Sequence, residues 1–208
     1  MNNSDWSSSV QSIQKYYRSL YAQYGDNPRS CDYGLPESQI TKFKAISEVV
    51  DLNNKSLLDV GCGLGNYYEF INCRFEGVSY NGIDICDFFI EKAKINNPGV
   101  NFFASDIFSD QYQPNSYDVV TANGIFYLLK KSPVDFMNSL ISRMFYIAST
   151  AVAFNSLSTW CIDKDDNEFY ADPFFTLDFC RTLTPWVTLR SDYHSRDFTI
   201  YMFKNRQL

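Results

Sequence analysis

Apolar and aromatic residues recur at Val10, Ile13, Tyr16, Tyr17, Leu20, Tyr21 and Tyr24, the three-and-four spacing of one helical face, and Gly25, Asp26, Asn27 and Pro28 end the pattern. After the polar stretch RSCDYGLPES, Pro36 opens a second helical pattern with Ile40, Phe43, Ile46, Val49 and Val50 on its apolar face. From Lys55 the texture changes to short apolar runs alternating with helical segments. SLLDV, YYEFINC, YNGIDI, CDFFIEKAKI, NFFASDIF, YDVVTANGIF, DFMNSLISRM and FYIASTAVAF follow in turn. That alternation predicts an α/β domain with a mainly parallel sheet whose strands are covered on both faces. Near the end, VTLRSDY and FTIYMF are separated only by HSRD, too short for a crossover helix, so an antiparallel hairpin is expected there. With no repeat or linker to divide it, the chain reads as one domain: a helical lid over 1–54 and a core over 55–208.

Composition narrows the chemistry. The chain has 208 residues, is 45% hydrophobic and 17% aromatic, and so has ample material for a packed core. Its net charge is -6 and its longest basic run is Lys130-Lys131, which disfavours a general nucleic-acid binder and suits a small or uncharged substrate. The six cysteines form no CxxC pair and only one histidine could join them, so reduced thiols are expected and no metal site. No apolar stretch approaches a membrane span, and the N-terminus lacks a basic-then-apolar leader; no membrane association and a cytoplasmic location are the expectation. The oligomeric state is unknown from sequence.

The stretch LLDVGCGLGN carries Gly61, Gly63 and Gly65 after an apolar strand and before a helix. Such a turn suits an adenosine-bearing cofactor, because glycine lets the backbone approach the ligand and the helix start offers free N–H groups. The dinucleotide spacing is G-x-G-x-x-G, whereas this one is G-x-G-x-G. Asp59 sits inside the strand end, where a carboxylate facing the loop would repel a diphosphate but pair with an ammonium group. S-adenosylmethionine has that amino group, a sulfonium and no phosphate. Asp84, about twenty residues past the loop, is placed for ribose hydroxyls. Asp106 is placed for the adenine amino group, and Asn123 lies beside the cofactor at the carboxyl edge. Cys62, Ile85 and Ile107, beside these positions, are further candidate cofactor contacts. Strand-end acids also serve as helix caps, and Asn-Gly also forms ordinary turns.

LLDVGCGLGN, GIDI, ASDIF and YDVVTANGIFYL together resemble the successive motifs of the class I S-adenosylmethionine-dependent methyltransferases, over roughly residues 55 to 204. The resemblance implies a Rossmann-like, doubly wound, mostly parallel seven-stranded sheet whose reversed last strand inserts beside the sixth. It also implies S-adenosylmethionine as cofactor and S-adenosylhomocysteine as product. The fourth motif reads NGIF and lacks the Asn/Asp-Pro-Pro-aromatic of enzymes that methylate nucleobase amines, which disfavours that acceptor.

The acceptor side is read more loosely. Tyr21 and Tyr33 are candidate catalytic groups and Tyr17, Tyr24 and Gln39 candidate substrate contacts from the lid, with core packing as the alternative. His194 is the candidate general base, oriented by Asp192, with a solvated turn as its alternative. Asn155, Trp160, Tyr170 and Asp172 mark the stretch after the fifth strand as a further acceptor wall. Tyr67 and Tyr68 read as packing, and DKDDNE as a solvated loop. The function expected is methyl transfer to an oxygen, or second to a nitrogen, of a small or medium organic acceptor such as a natural product, modified peptide or saccharide, as a biosynthetic tailoring step. A nicotinamide-dependent oxidoreductase and a catalytically silent cofactor-binding accessory protein are the other readings.

Overall fold

A computed structural model describes residues 3–207. The chain runs α1 (Asn3–Tyr24), a short 3-10 turn (Pro28–Cys31), α2 (Pro36–Ser47), β1 (Ser56–Val60), α3 (Asn66–Asn72), β2 (Ser79–Asp84), α4 (Asp87–Asn96) and β3 (Asn101–Ala104). It continues through β4 (Tyr117–Ala122), α5 (Pro133–Ile147), β5 (Ala148–Leu157), α6 (Pro173–Leu183), β6 (Val187–Arg190) and β7 (Asp197–Phe203).

The seven strands form one sheet in the order β3-β2-β1-β4-β5-β7-β6. β1 pairs in parallel with both β2 and β4, while β7 is antiparallel to β5 and β6. The winding reverses between β1 and β4, and ligands of open α/β sheets bind outside the carboxyl ends at such a switch point. Strand alternation explains the layers: Leu58 and Val120 face one apolar cluster with α5 and α6, whereas Leu57 and Val119 face another with α2, α3 and α4. Both faces are therefore covered, and every residue of β7 is buried. Among the described residues, no helix is long and apolar enough to cross a membrane.

The sequence pattern is corrected in three places. α2 ends at Ser47, so Val49 and Val50 pack from the following turn, and Ile40 on its expected apolar face is 47% exposed. FYIASTAVAF spans a junction, because α5 passes directly into β5 at Ala148. α6 was not read from the pattern at all. Asp172 caps it by accepting from the Phe174 and Phe175 N–H groups, with Pro173 in the first turn. That bonding spends Asp172 on the helix rather than on an acceptor.

Candidate active site

The turn after β1 is built from backbone geometry. Gly61, Gly63 and Gly65 all have positive φ, which a side chain would strain. At Gly65 a Cβ would also lie 2.9 Å from Asn97 Nδ2 and 3.0 Å from Phe102 Cζ. Gly65 thus permits α3 to pack on β3 and does not line the cavity described below, whereas Gly61, Cys62 and Gly63 do. The loop amides are already committed. Gly61 and Cys62 N–H groups donate to the Ile83 carbonyl at 2.8 and 3.0 Å, and Gly65 N–H donates to the Cys62 carbonyl at 3.0 Å. Gly63 N–H donates to Asp84 Oδ2 at 2.9 Å, and Cys86 N–H donates to Asp84 Oδ1 at 2.8 Å. The Gly61, Cys62, Gly63 and Gly65 N–H groups, paired within the protein, make no phosphate cradle, and the expected free amides at the helix start remain those of the first turn of α3.

Over the loop and the ends of β1, β2 and β4 lies a cavity of about 120 Å³, lined in part by Asp59, Asp84 and Asp106. No Lys, Arg or His is among the described residues that line it. Asp59 is 2% exposed and accepts hydrogen bonds from the Tyr80 hydroxyl at 2.5 Å and the Thr121 hydroxyl at 3.3 Å. Burial pushes its pKa up to about 7 despite those two donors. Burial also raises Asp84, offset in part by the Cys86 and Gly63 N–H groups. Asp106 Oδ1 accepts from the Phe108 N–H at 2.9 Å, and its Oδ2 accepts from the indole N–H of Trp6. Ile85 and Ile107 line the cavity beside these acids.

Trp6 is the largest omission from the sequence reading. Its ring lies 5.7 Å from Phe108 and 5.6 Å from Phe136, closing the Asp106 end of the cavity from α1. The signal was present: Trp6, Val10, Ile13 and Tyr17 are spaced as one helical face. Gln14 of the same helix donates to the Ile85 carbonyl at 2.6 Å.

A chain of side-chain amides and a phenol occupies the opposite end. Asn155 Oδ1 accepts from the Gly124 N–H at 2.7 Å, Asn155 Nδ2 donates to Asn123 Oδ1, and Asn123 Nδ2 donates to the Tyr33 hydroxyl oxygen at 2.7 Å. Asn123, Tyr33, Tyr17 and Gln39 line the cavity, while Asn155 stands behind Asn123. The Tyr127 hydroxyl donates to that of Tyr17 at 2.9 Å. Burial holds the Tyr17 and Tyr33 phenols well above the ordinary value of 10.0, so both stay protonated at neutral pH. Tyr67 also lines the cavity, and its buried hydroxyl has no hydrogen-bond partner.

Other candidates lie outside. Tyr21 donates to Asp26 at 3.1 Å, and Tyr24 stacks under Arg29 at 5.9 Å; both serve the end of α1. Trp160 is 46% exposed against Phe174, and Tyr170 is held by Glu168 and Arg196. Because Asp197 pairs with Leu157 at the end of β5, the β6–β7 turn does reach the carboxyl edge. Even so, His194 does not line the cavity. Its Nδ1 lies 2.6 Å from Asp197 Oδ2 and 3.2 Å from the Arg196 backbone nitrogen, and its Nε2 shares a hydrogen bond with the Ser38 hydroxyl at 3.0 Å. Asp192 is instead clasped by Arg190 at 3.0 Å, so the expected His194–Asp192 pair is replaced by His194–Asp197. Ser38 does not line the cavity either, and this Ser-His-Asp array joins α2 to the hairpin.

Residues 51–185 match a family described as a methyltransferase domain. A Mycobacterium tuberculosis protein named as a methyltransferase is 27% identical over 164 residues, covering 72% of this chain and 93% of that one. The phosphoethanolamine N-methyltransferase of Plasmodium falciparum is 35% identical over 81 residues, covering 37% of this chain and 30% of that enzyme. The magnesium protoporphyrin IX methyltransferase of Synechocystis, solved with bound S-adenosylhomocysteine, superposes with a TM-score of 0.66 at 12% identity, covering 93% of this chain and 95% of that one. That likeness speaks for the fold.

Proposed function

The chain belongs to the methyltransferase domain family and is an S-adenosylmethionine-dependent enzyme, and from that premise we propose that it methylates an oxygen of a small or medium organic acceptor. The observation that carries the cofactor assignment is a cavity with acids on successive strand ends, no cation among its described lining residues, and the Gly61, Cys62 and Gly63 amides paired within the protein. That donor set fits an adenosine without phosphates and disfavours a dinucleotide.

In this reading Asp84 takes the ribose hydroxyls through the lone pairs not used by Gly63 and Cys86, and Asp106 takes the adenine amino group. Ile85 and Ile107 flank the base. Asp59 faces the ammonium group, Gly61, Cys62 and Gly63 allow close approach, and Asn123 lies beside the methionine portion. Gly65 serves packing. The described residues before β1 act as a lid over the carboxyl edge of the sheet.

S-adenosylmethionine supplies an electrophilic methyl group on a sulfonium. The chain's own contribution is to hold the acceptor in line with it and to exclude water, which can supply much of the rate. Tyr17 and Tyr33, kept protonated, act as hydrogen-bond donors and not as bases. Asn155 orients Asn123, which in turn fixes Tyr33. Acceptance by nitrogen is the second reading, favoured by the named N-methyltransferase relative. A role in tailoring a natural product, modified peptide or saccharide suits a chain whose acceptor wall is built from its own lid.

Calorimetric titration with S-adenosylmethionine, S-adenosylhomocysteine and NADH tests the assignment. Micromolar binding of the first two and none of the third is expected. NADH binding without either of the others would overturn it.

A further inference from the structure

The acceptor end of the cavity offers hydrogen bonds but no counter-charge. Tyr33, Gln39, Phe43 and Tyr67 line it, and the cavity's described lining contains no Lys, Arg or His. A cation does stand nearby. Lys42 lies 5.7 Å from the Tyr33 ring centroid, but its side chain is 13% exposed and its ammonium meets Asp197 at 3.1 Å. Asp197, itself buried, also takes His194. Recruiting Lys42 for an anionic acceptor would strip a buried carboxylate of a partner.

An anion entering this space would lose its hydration, and no described side chain lining the cavity supplies a cation to offset that cost. An uncharged molecule avoids the penalty provided its polar end finds a partner. The cavity holds one in waiting. Tyr67 is 3% exposed, lies 5.1 Å ring to ring from Phe43, and its hydroxyl has no hydrogen-bond partner. A buried hydroxyl without a partner is costly, and a ligand that completes its bonding recovers that cost.

Resting on the methyltransferase reading, we infer that the acceptor enters as an uncharged molecule whose hydrogen-bonding end is received by the Tyr67 hydroxyl. Phe43 and the Tyr33 ring supply the apolar walls, and Gln39 adds a second polar contact.

The test uses matched probes, 4-hydroxybenzamide and 4-hydroxybenzoate, titrated by ligand-observed NMR against the full chain loaded with S-adenosylhomocysteine. The amide is expected to bind at least about tenfold more tightly than the carboxylate. Tyr67→Phe should weaken the amide about two- to tenfold while leaving S-adenosylhomocysteine affinity unchanged. Because the hydroxyl has no partner in the free protein, that variant should melt no lower than the parent. Equal or tighter binding of the carboxylate, binding of neither probe at millimolar concentration, or an amide affinity insensitive to Tyr67→Phe would overturn the inference. Failure to bind S-adenosylhomocysteine would instead overturn the cofactor assignment.

Discussion

The floor of the cavity and its cover are held by different kinds of bond. On the floor, backbone N–H groups of Gly63 and Cys86 are pinned to Asp84, and those of Gly61 and Cys62 to Ile83, in a turn that only positive φ permits. The cover is tied by side chains: Trp6 to Asp106, Gln14 to Ile85, Tyr127 to Tyr17, and Lys92 to Asp26 at 2.6 Å. Arg18–Asp87 adds an exposed pair of the kind worth little. Backbone-determined geometry fails as a unit when one member is removed, whereas a cover fastened at separate points loses one fastening at a time. The floor should therefore be intolerant of substitution and the cover open at lower free energy than the sheet.

Asp84→Ala should break the floor hardest. It removes the acceptor for two backbone N–H groups and the proposed ribose ligand together, so S-adenosylmethionine affinity should fall roughly ten- to a hundredfold, about 1.5–3 kcal/mol. Unchanged affinity by calorimetry would refute the assignment. Gly65→Ala should cost about 1–3 kcal/mol of stability in urea titration, from its φ and the Asn97 and Phe102 contacts. A neutral result would show that the turn has slack the geometry denies.

The Asp59 carboxyl sharpens the same contrast through pH. Its folded pKa of about 7 lies above the ordinary 3.8, so the folded state binds the extra proton and its contribution to stability is lost as pH rises from about 4 through 7. Asp59→Asn should flatten that loss, an effect on the order of a few kcal/mol, in melts recorded across this window. Identical profiles for parent and variant would remove Asp59 as the source.

On the cover, Trp6→Phe keeps the ring and deletes the N–H bonded to Asp106. Stability should change by no more than about 1 kcal/mol, and S-adenosylhomocysteine should bind up to about tenfold more tightly once Oδ2 is released. Weaker binding would mean that the indole is a wall of the adenine site. The smallest functional effect is expected from His194→Ala, because His194 does not line the cavity: cofactor affinity and turnover should stay close to the parent. A large fall in turnover with intact affinity would restore it as a base.

The floor was readable because its chemistry follows chain order. β1 is the run SLLDV itself, and the acids succeed one another within two residues of successive strand ends. The cover was not, because its contacts cross long stretches of chain; Trp6 reaches Asp106 from 100 residues away. Proximity in sequence also misled. Asp192 is the near neighbour of His194 in sequence, but the hairpin turns that acid toward Arg190 and brings Asp197, at the start of β7, to the imidazole. Tyr67 read as packing because its aromatic ring does pack; only the location of its hydroxyl distinguishes it.

The position of β7 between β5 and β6 bears on how the molecule is made. β6 leaves the ribosome with no strand to pair with, since its neighbour in the sheet is the last strand to be synthesised. The segment through β4 contains the whole Asp59–Asp84–Asp106 floor and is synthesised before β5, β6 and β7. Asp197 joins Lys42 and His194 only at the end. Synthesis from the N-terminus therefore completes the stretch carrying Asp59, Asp84 and Asp106 before the segment that supplies the clasp between α2 and the hairpin.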